Sequence, residues 1–168
     1  MFKKIILAVL LALPFAGFAQ KFGTVNIEEI FQAMPESATM QSQLADASKR
    51  YEEEFQKLRE ELDKLYADYQ TLQNDPSTPE SIKERRIQDI QERAAKVDQF
   101  RNTAQQDLAR LSEQLSAPIQ QKMTDAIKAV GQENNFTMIF DVVQPLYTGS
   151  DVVDATDLVK KKLGIVTK

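Results

Sequence analysis

The segment Asn74-Asp75-Pro76-Ser77-Thr78-Pro79 separates two long stretches in which apolar residues recur every three or four positions. This spacing is typical of a single apolar stripe along an α-helix. Prolines and turn-forming residues in the segment cannot continue a helix, so the chain changes direction here. We therefore predict an antiparallel helical hairpin with its tip at residues 74–79. The rising stripe is Met40, Leu44, Ala47, Tyr51, Phe55, Leu58, Leu62, Leu65, Tyr69 and Leu72; the returning stripe is Ile82, Ile87, Ile90, Ala94, Val97, Phe100, Ala104, Leu108, Leu111, Leu115, Ile119, Met123, Ile127 and Val130.

The position of the tip also predicts which residues face each other across the hairpin. If the turn is centred near residue 76, the numbers of facing residues sum to about 152. Tyr51 then faces Phe100, and Pro35 lies level with Pro118. Because proline interrupts a helix, we predict that both helices break at this height and that Pro35 and Pro118 form a hinge. At the tip, Thr78 is the expected N-cap of the returning helix, with Pro79 at its first position.

The composition narrows the classes of function. The chain has 168 residues, 27% of them charged, and contains no Cys and no His. The absence of Cys excludes disulfides and thiolate metal sites, and the absence of His removes the commonest general base and metal ligand. No phosphate-binding Gly-rich loop, G-x-S-x-G, H-E-x-x-H or EF-hand spacing is present. We therefore expect no enzyme activity, no cofactor, and no catalytic or metal site, and we interpret runs such as Glu52-Glu53-Glu54 as solvated helix faces.

The first nineteen residues have the pattern of a secretory signal peptide. Lys3 and Lys4 precede the apolar run Ile5–Phe15, and Gly17-Phe18-Ala19 provides small residues before a cut between Ala19 and Gln20. We predict residues 1–19 to be removed on export. The mature chain then carries 19 Lys and Arg against 25 Asp and Glu, a net charge of −6.

Residues 20–35 and 118–168 are predicted to form one β-containing body, and residues 36–117 the arm. A strand is expected within Lys21–Ile27, then a short helix capped by Asn26; the strongest strand signal is Phe136–Val143. A third strand is expected at Leu146–Thr148, and a last helix ends near Gly164. So small a sheet exposes edges and an apolar face, which predicts oligomerisation through the body. The predicted interface residues are Phe22, Val25, Ile27, Met138, Ile139, Phe140 and Val142.

The order of elements, together with three segments, resembles the Skp/OmpH-like family of periplasmic chaperones. The segments are Val25–Phe31, Met138–Asp141 and Tyr147–Leu158. The resemblance covers the mature chain and implies a homotrimer whose arms surround a cavity. It further implies an ATP-independent holdase that binds unfolded outer-membrane β-barrel proteins in the periplasm. No nucleic-acid partner is expected.

One property departs from the family pattern. The best-known member is strongly basic, whereas this chain has a pI near 5.0. The tip carries no polybasic patch because its basic residues alternate with acidic ones. We therefore do not carry lipopolysaccharide binding over from the family, and a transient contact with the membrane surface stays open.

Aromatic residues of the arm are the candidates for contact with a client polypeptide. Tyr66 lies off the apolar stripe and is expected either to face a cavity or to be merely exposed. Tyr51, Phe55, Tyr69 and Phe100 lie on the stripe, where helix–helix packing competes with client contact. Beside the holdase, a structural or adaptor coiled coil of the cell envelope is the alternative function.

Overall fold

The computed structural model describes residues 20–165, so the predicted signal peptide lies outside the described residues. A small parallel sheet accompanies a mainly helical chain, which confirms the predicted fold class. The elements are β1 (Lys21–Val25), α1 (Ile27–Ala33), α2 (Pro35–Asn74), α3 (Glu80–Glu133), β2 (Phe136–Asp141), β3 (Val153–Asp154) and α4 (Thr156–Lys162).

Helices α2 and α3 form the predicted antiparallel arm. The rings of Tyr51 and Phe100 lie 6.0 Å apart between centroids, as the predicted register requires. For polar partners across the hairpin, the two residue numbers sum to more than 152. Arg93 binds Glu61 at 2.8 Å, and the Tyr51 hydroxyl donates to Asp107 at 3.1 Å. Helical side chains tilt toward the N-terminus of their own helix, so long ones on antiparallel partners meet past their Cα levels.

Helix α3 has 54 residues and α2 has 40, so α3 extends about 20 Å beyond its partner at 1.5 Å per residue. It does not break at Pro118, and the predicted interruption there is wrong. It also continues through Gly131 to Glu133, three residues past Val130, the last residue of the predicted stripe. The last turns bury Ile119, Met123, Ala126 and Val130 in the body, and this packing outweighs the local cost of proline and glycine.

The tip differs in detail from the prediction. Pro79 (φ −58°, ψ 142°) is the N-cap residue of α3, and Thr78 is not. The Asp75 carboxylate instead accepts hydrogen bonds from the Ser77 N–H at 2.8 Å and the Ser77 hydroxyl at 2.7 Å. These hydrogen bonds lower the pKa of Asp75. An aspartate turn therefore closes the hairpin.

The sheet has the order β2-β1-β3, and both pairs are parallel. The predicted third strand at Leu146–Thr148 is wrong, because β3 occupies that edge of β1 further along the chain. Flanking hydrogen bonds hold it there: the Ala155 N–H donates to the Thr24 carbonyl at 2.8 Å. The other edge of β1 is occupied by β2, whose pairing the Val142 N–H extends by donating to the Val25 carbonyl.

The body core joins residues from both ends of the described chain. Val25 and Ile30 pack with Val130 and Val159 in one buried cluster. The Asn26 side chain accepts from the Glu29 N–H at 3.0 Å and caps α1 as predicted. Gly164 (φ +76°) ends α4. Its N–H donates to the Lys161 carbonyl, and the N–H of Ile165 donates to the Lys160 carbonyl.

Asp154 stabilises the start of α4 with its side chain. Its carboxylate accepts from both the N–H and the hydroxyl of Thr156, at 2.9 and 2.6 Å. The same Thr156 hydroxyl accepts from the Asn26 N–H at 3.0 Å. The ends of β1 and β3 are thereby joined at the entry to two helices.

Candidate functional site

The sheet covers the core with one face, and its other face is partly covered: Met138 is 51% exposed on it, whereas Thr24 is buried. Neighbours in register on parallel strands share a face, so Phe22 lies beside Met138, and Thr24 beside Phe140. This set, which we call the outer face, is not among the residues that pack on the core. A cleft of about 350 Å³ lies against it, lined by Phe22, Thr24, Phe140, Gln144, Pro145, Tyr147, Thr148 and Val152.

The structure divides the seven predicted interface residues between two environments. Phe22, Met138 and Phe140 lie on the outer face, and Val142 is exposed next to it. Val25 is 2% exposed and belongs to the chain's own core. Ile27 and Ile139 are half-buried against that core. These three side chains are therefore not on the free surface where we expected them, because strand alternation directs Val25 and Ile139 inward.

Sequence reasoning missed the segment that follows β2. Val143, Leu146 and Tyr147 are among the most exposed apolar residues of the described chain. They extend the apolar surface of the outer face beyond the sheet. The signal was present in the sequence: apolar residues on both sides of Pro145 lacked any partner pattern that would bury them.

The aromatic side chains of the arm have unequal exposure. Tyr66 is 46% exposed and lies free on the surface of α2. Tyr51, Phe55, Tyr69 and Phe100 are half-buried within the hairpin. The hydrogen bond to Asp107 raises the pKa of Tyr51 above its ordinary value. The structure thus separates one exposed aromatic residue from four that take part in helix packing.

The foot of the arm connects to the body through Pro35, the first residue of α2, which follows the extended Met34 (φ −73°, ψ 129°). Glu36 forms an ion pair with Lys122 of α3 just above this joint. The hydrogen bond from Lys122 holds the pKa of Glu36 below its ordinary value. The chain therefore bends at Pro35 on one side of the arm only, while α3 passes Pro118 as a continuous helix.

A second ion pair fastens α4 to α1 within the body. Lys160 is buried and binds Glu29, whose hydrogen bond raises the pKa of the lysine. Asp157 lies 3.9 Å from the same ammonium group. Because Lys160 is held between two carboxylates next to the core, it is part of the body's framework and is not free for a ligand.

Two further observations concern residues 20–165 alone. Within that range, no three acidic side chains are grouped so that they hold a metal ion. Nor does any helix of the described chain have the length and hydropathy needed to cross a membrane.

The described residues define a class of fold, in which a long two-helix arm joins a small body with a three-stranded parallel sheet. Comparison with family models makes the class specific. The model described as "Outer membrane protein (OmpH-like)" matches residues 21–163, and the chain belongs to this OmpH-like family.

Several relatives share the name "Chaperone protein Skp". The protein from Photorhabdus laumondii subsp. laumondii is 29% identical over 149 residues, covering 87% of each chain. That from Photorhabdus luminescens is 30% identical over 146 residues, 83% of this chain and 86% of the relative. The Yersinia enterocolitica protein is 27% identical over 168 residues, 95% of this chain and 98% of the relative. The similarity therefore extends over both arm and body.

Proposed function

We propose that this protein is a periplasmic holdase that binds unfolded outer-membrane proteins between its arms and prevents their aggregation without ATP. The relatives named chaperones support the function, and the signal-peptide pattern at residues 1–19 supports export. A holdase forms and breaks no covalent bond, so the proposal needs no catalytic group. The periplasm contains no ATP, so binding and release are equilibria.

The outer face is the observation that carries the proposal. Met138 is 51% exposed on a strand, next to Phe22 and Phe140, and the apolar surface continues through Leu146. Exposed apolar patches of this kind mark association surfaces. The strands β2 and β3 also have edges without a strand partner in residues 20–165. We infer that copies of the chain associate here, as a homotrimer, and bring their arms around a shared cavity.

The hinge belongs to the same proposal. A cavity that holds clients of different sizes needs arms that move against the body, and the extended Met34–Pro35 joint is the point at which α2 enters the arm. The Glu36–Lys122 ion pair crosses the foot of the arm above this joint. We propose that Pro35 permits bending and that Pro118 lets α3 follow it.

The test combines oligomeric state with activity. Light scattering of the mature chain is expected to give three times the mass of one chain. In the absence of ATP, the protein is expected to keep an unfolded outer-membrane β-barrel protein from aggregating. An adaptor coiled coil of the envelope would assemble but leave aggregation unchanged. A protein that neither associates nor suppresses aggregation contradicts the proposal.

A matched pair of variants locates the assembly surface. Phe140→Glu places a charge on the outer face and is expected to leave a folded, smaller species with weaker suppression of aggregation. Leu158→Glu, at an exposed apolar residue of α4 away from the outer face, is the control and should keep the trimer. If both variants keep the trimer, the outer face is not the interface.

A further inference from the structure

Gln20 is the residue that the predicted signal-peptide cut places at the start of the mature chain. The expected cut, between Ala19 and Gln20, follows the small residues of Gly17-Phe18-Ala19. Cleavage of that peptide bond converts the backbone N–H of Gln20 into an α-amine. Gln20 then carries a nucleophilic amine and an electrophilic carboxamide on the same residue.

These two groups of an N-terminal glutamine can react with each other. An α-amine has an ordinary pKa of about 7.7–8.0, so near neutral pH a fraction of it is uncharged and able to attack. Its nitrogen attacks Cδ of the side-chain amide, and the new bond closes a five-membered lactam. The bond between Cδ and Nε2 breaks, and ammonia leaves with the proton that the amine loses. The reaction is intramolecular, so no second substrate has to be bound.

The surroundings of Gln20 allow this ring to close. Gln20 is exposed and lies just outside the sheet, because β1 begins at Lys21. From that residue onward the strand is held by β2, with Lys21 opposite Phe136 and Phe22 opposite Met138. Ring closure needs rotation about bonds of Gln20 alone, so the lactam forms without displacing β1.

Lys21 shows what a closed chain end would protect. Its ammonium group donates to the Asn134 carbonyl at 3.2 Å and lies 4.2 Å from the centroid of the Phe136 ring. These contacts tie the start of β1 to the turn between α3 and β2. An aminopeptidase recognises a charged α-amine and removes residues one at a time, so a single cleavage at Gln20 would make Lys21 the next target. A lactam has no charged amine for such an enzyme to bind.

We propose that Gln20 of the exported chain cyclises to pyroglutamate and that this lactam protects the start of β1 from aminopeptidases. The inference rests on the export proposed above and adds a modification at the first residue of the mature chain. Both reacting groups belong to Gln20, and ammonia is the leaving group.

Amine labelling followed by mass spectrometry tests the modification on the mature protein purified from its native cells. Reductive dimethylation of the intact chain in guanidinium chloride blocks any remaining α-amine, so no lactam forms during later handling. Cleavage after glutamate then releases residues 20–28, in which Lys21 is the single lysine. We expect this peptide to be lighter by one ammonia molecule and to carry one dimethylated amine, that of Lys21. A peptide that begins at Gln20 and carries two dimethylated amines overturns the proposal.

Gln20→Asn is the matched control, because it keeps a carboxamide at position 20 and shortens the side chain by one methylene. Attack of the α-amine would then have to close a strained four-membered ring. The variant is therefore expected to keep its ammonia and to show two dimethylated amines in the same peptide. If its α-amine is also blocked, a different modification closes the chain end and the proposal fails.

A purified aminopeptidase tests the protective effect. The wild type is expected to keep residues 20 and 21 during an incubation in which Gln20→Asn loses residue 20. Equal trimming of the two proteins overturns the protective role of the lactam.

The same samples separate this inference from the proposed function. A mature chain that begins at another residue shows that the predicted cut is wrong, and the inference fails with it. Suppression of aggregation is expected to be equal in the wild type and Gln20→Asn, because residue 20 belongs neither to the arm nor to the outer face. A wild type that carries the lactam and does not suppress aggregation contradicts the holdase function and leaves the modification established.

Discussion

The arm and the body are stabilised in different ways. In the arm, each layer of α2 packs on the neighbouring layer of α3, so contacts repeat along its length and Ile82 near the tip is still 49% exposed. In the body, one cluster joins Ile30 of α1, Val130 of α3 and Val159 of α4, which are far apart in the chain. The arm is therefore expected to loosen locally, while the body is expected to fold or unfold as a unit.

Two cavity-creating variants, one in the body and one in the arm, test this difference in stability. Ile30 is 0% exposed, and Ile30→Ala is expected to lower the free energy of unfolding of the body by about 2–5 kcal/mol. Val97 is 8% exposed between two helices that partly collapse, and Val97→Ala should cost about 1–2 kcal/mol. Urea unfolding followed by circular dichroism gives both values.

Hydrogen exchange shows which part of the molecule each of these two variants destabilises. Amides of β1 should lose protection in Ile30→Ala and keep it in Val97→Ala, since the arm does not contribute to the body cluster. If Val97→Ala exposes β1 to the same degree, arm and body are one cooperative unit and the comparison fails.

Close packing of the sheet gives the next largest effect. A Cβ at Gly23 would lie 2.8 Å from Cε1 of Phe136 and 3.3 Å from the carbonyl oxygen of Val153. Gly23→Ala is therefore expected to destabilise the body by about 1–3 kcal/mol through overpacking. Thermal unfolding measures the change.

Gly131 provides the control for that variant. It lies within α3, and a Cβ there would meet Ile139 at an ordinary 3.6 Å. Gly131→Ala should stabilise the helix by about 0.5–1 kcal/mol, because alanine loses less backbone entropy. Two glycine-to-alanine changes of opposite sign in one body would confirm that close approach at β1, rather than glycine itself, is the requirement.

This difference between the arm and the body also explains which parts of the fold could be predicted from the sequence. The arm follows from one apolar stripe, and the Tyr51–Phe100 contact follows from counting back from the tip. The fold of the body depends on contacts between residues that are far apart in the chain. The sequence between Asp141 and Asp154 contains two segments that could form a strand, and hydrogen bonds to β1 determine which of them does. Likewise, the sequence shows that side chains alternate between the two faces of the strand that contains Val25. It does not show which of these faces packs on the core, because that depends on where α3 packs against the sheet.

The continuity of α3 at Pro118 was out of reach for the same reason. Pro118 lies inside a continuous helix, whereas proline in a sequence predicts a break. Packing of Ile119 and Met123 in the body keeps the helix intact across that residue. A local rule therefore failed where tertiary contacts were strongest.

A smaller effect is expected at the junction between sheet and helix. Asn26→Ala removes the side-chain acceptor of the Glu29 N–H and should cost about 1 kcal/mol of body stability. Asn26→Asp keeps an acceptor and should stay within a few tenths of a kcal/mol of the wild type. Urea midpoints of the two variants distinguish them; equal losses would mean that the side-chain amide, and not the cap, matters.

The smallest effect concerns the arm and is visible only as a function of pH. The hydrogen bond to Asp107 raises the pKa of Tyr51 above its ordinary 10.0, so the folded arm favours the protonated hydroxyl. The stabilisation is fully present below the Tyr51 pKa of the unfolded chain and is lost as pH rises through the higher pKa of the folded chain.

Tyr51→Phe retains the ring against Phe100 and removes this hydroxyl alone. The melting temperature of the wild type should therefore fall more steeply than that of Tyr51→Phe above about pH 10. Parallel curves would show that the hydroxyl contact adds nothing to the register of the arm, which would then depend on its apolar layers alone.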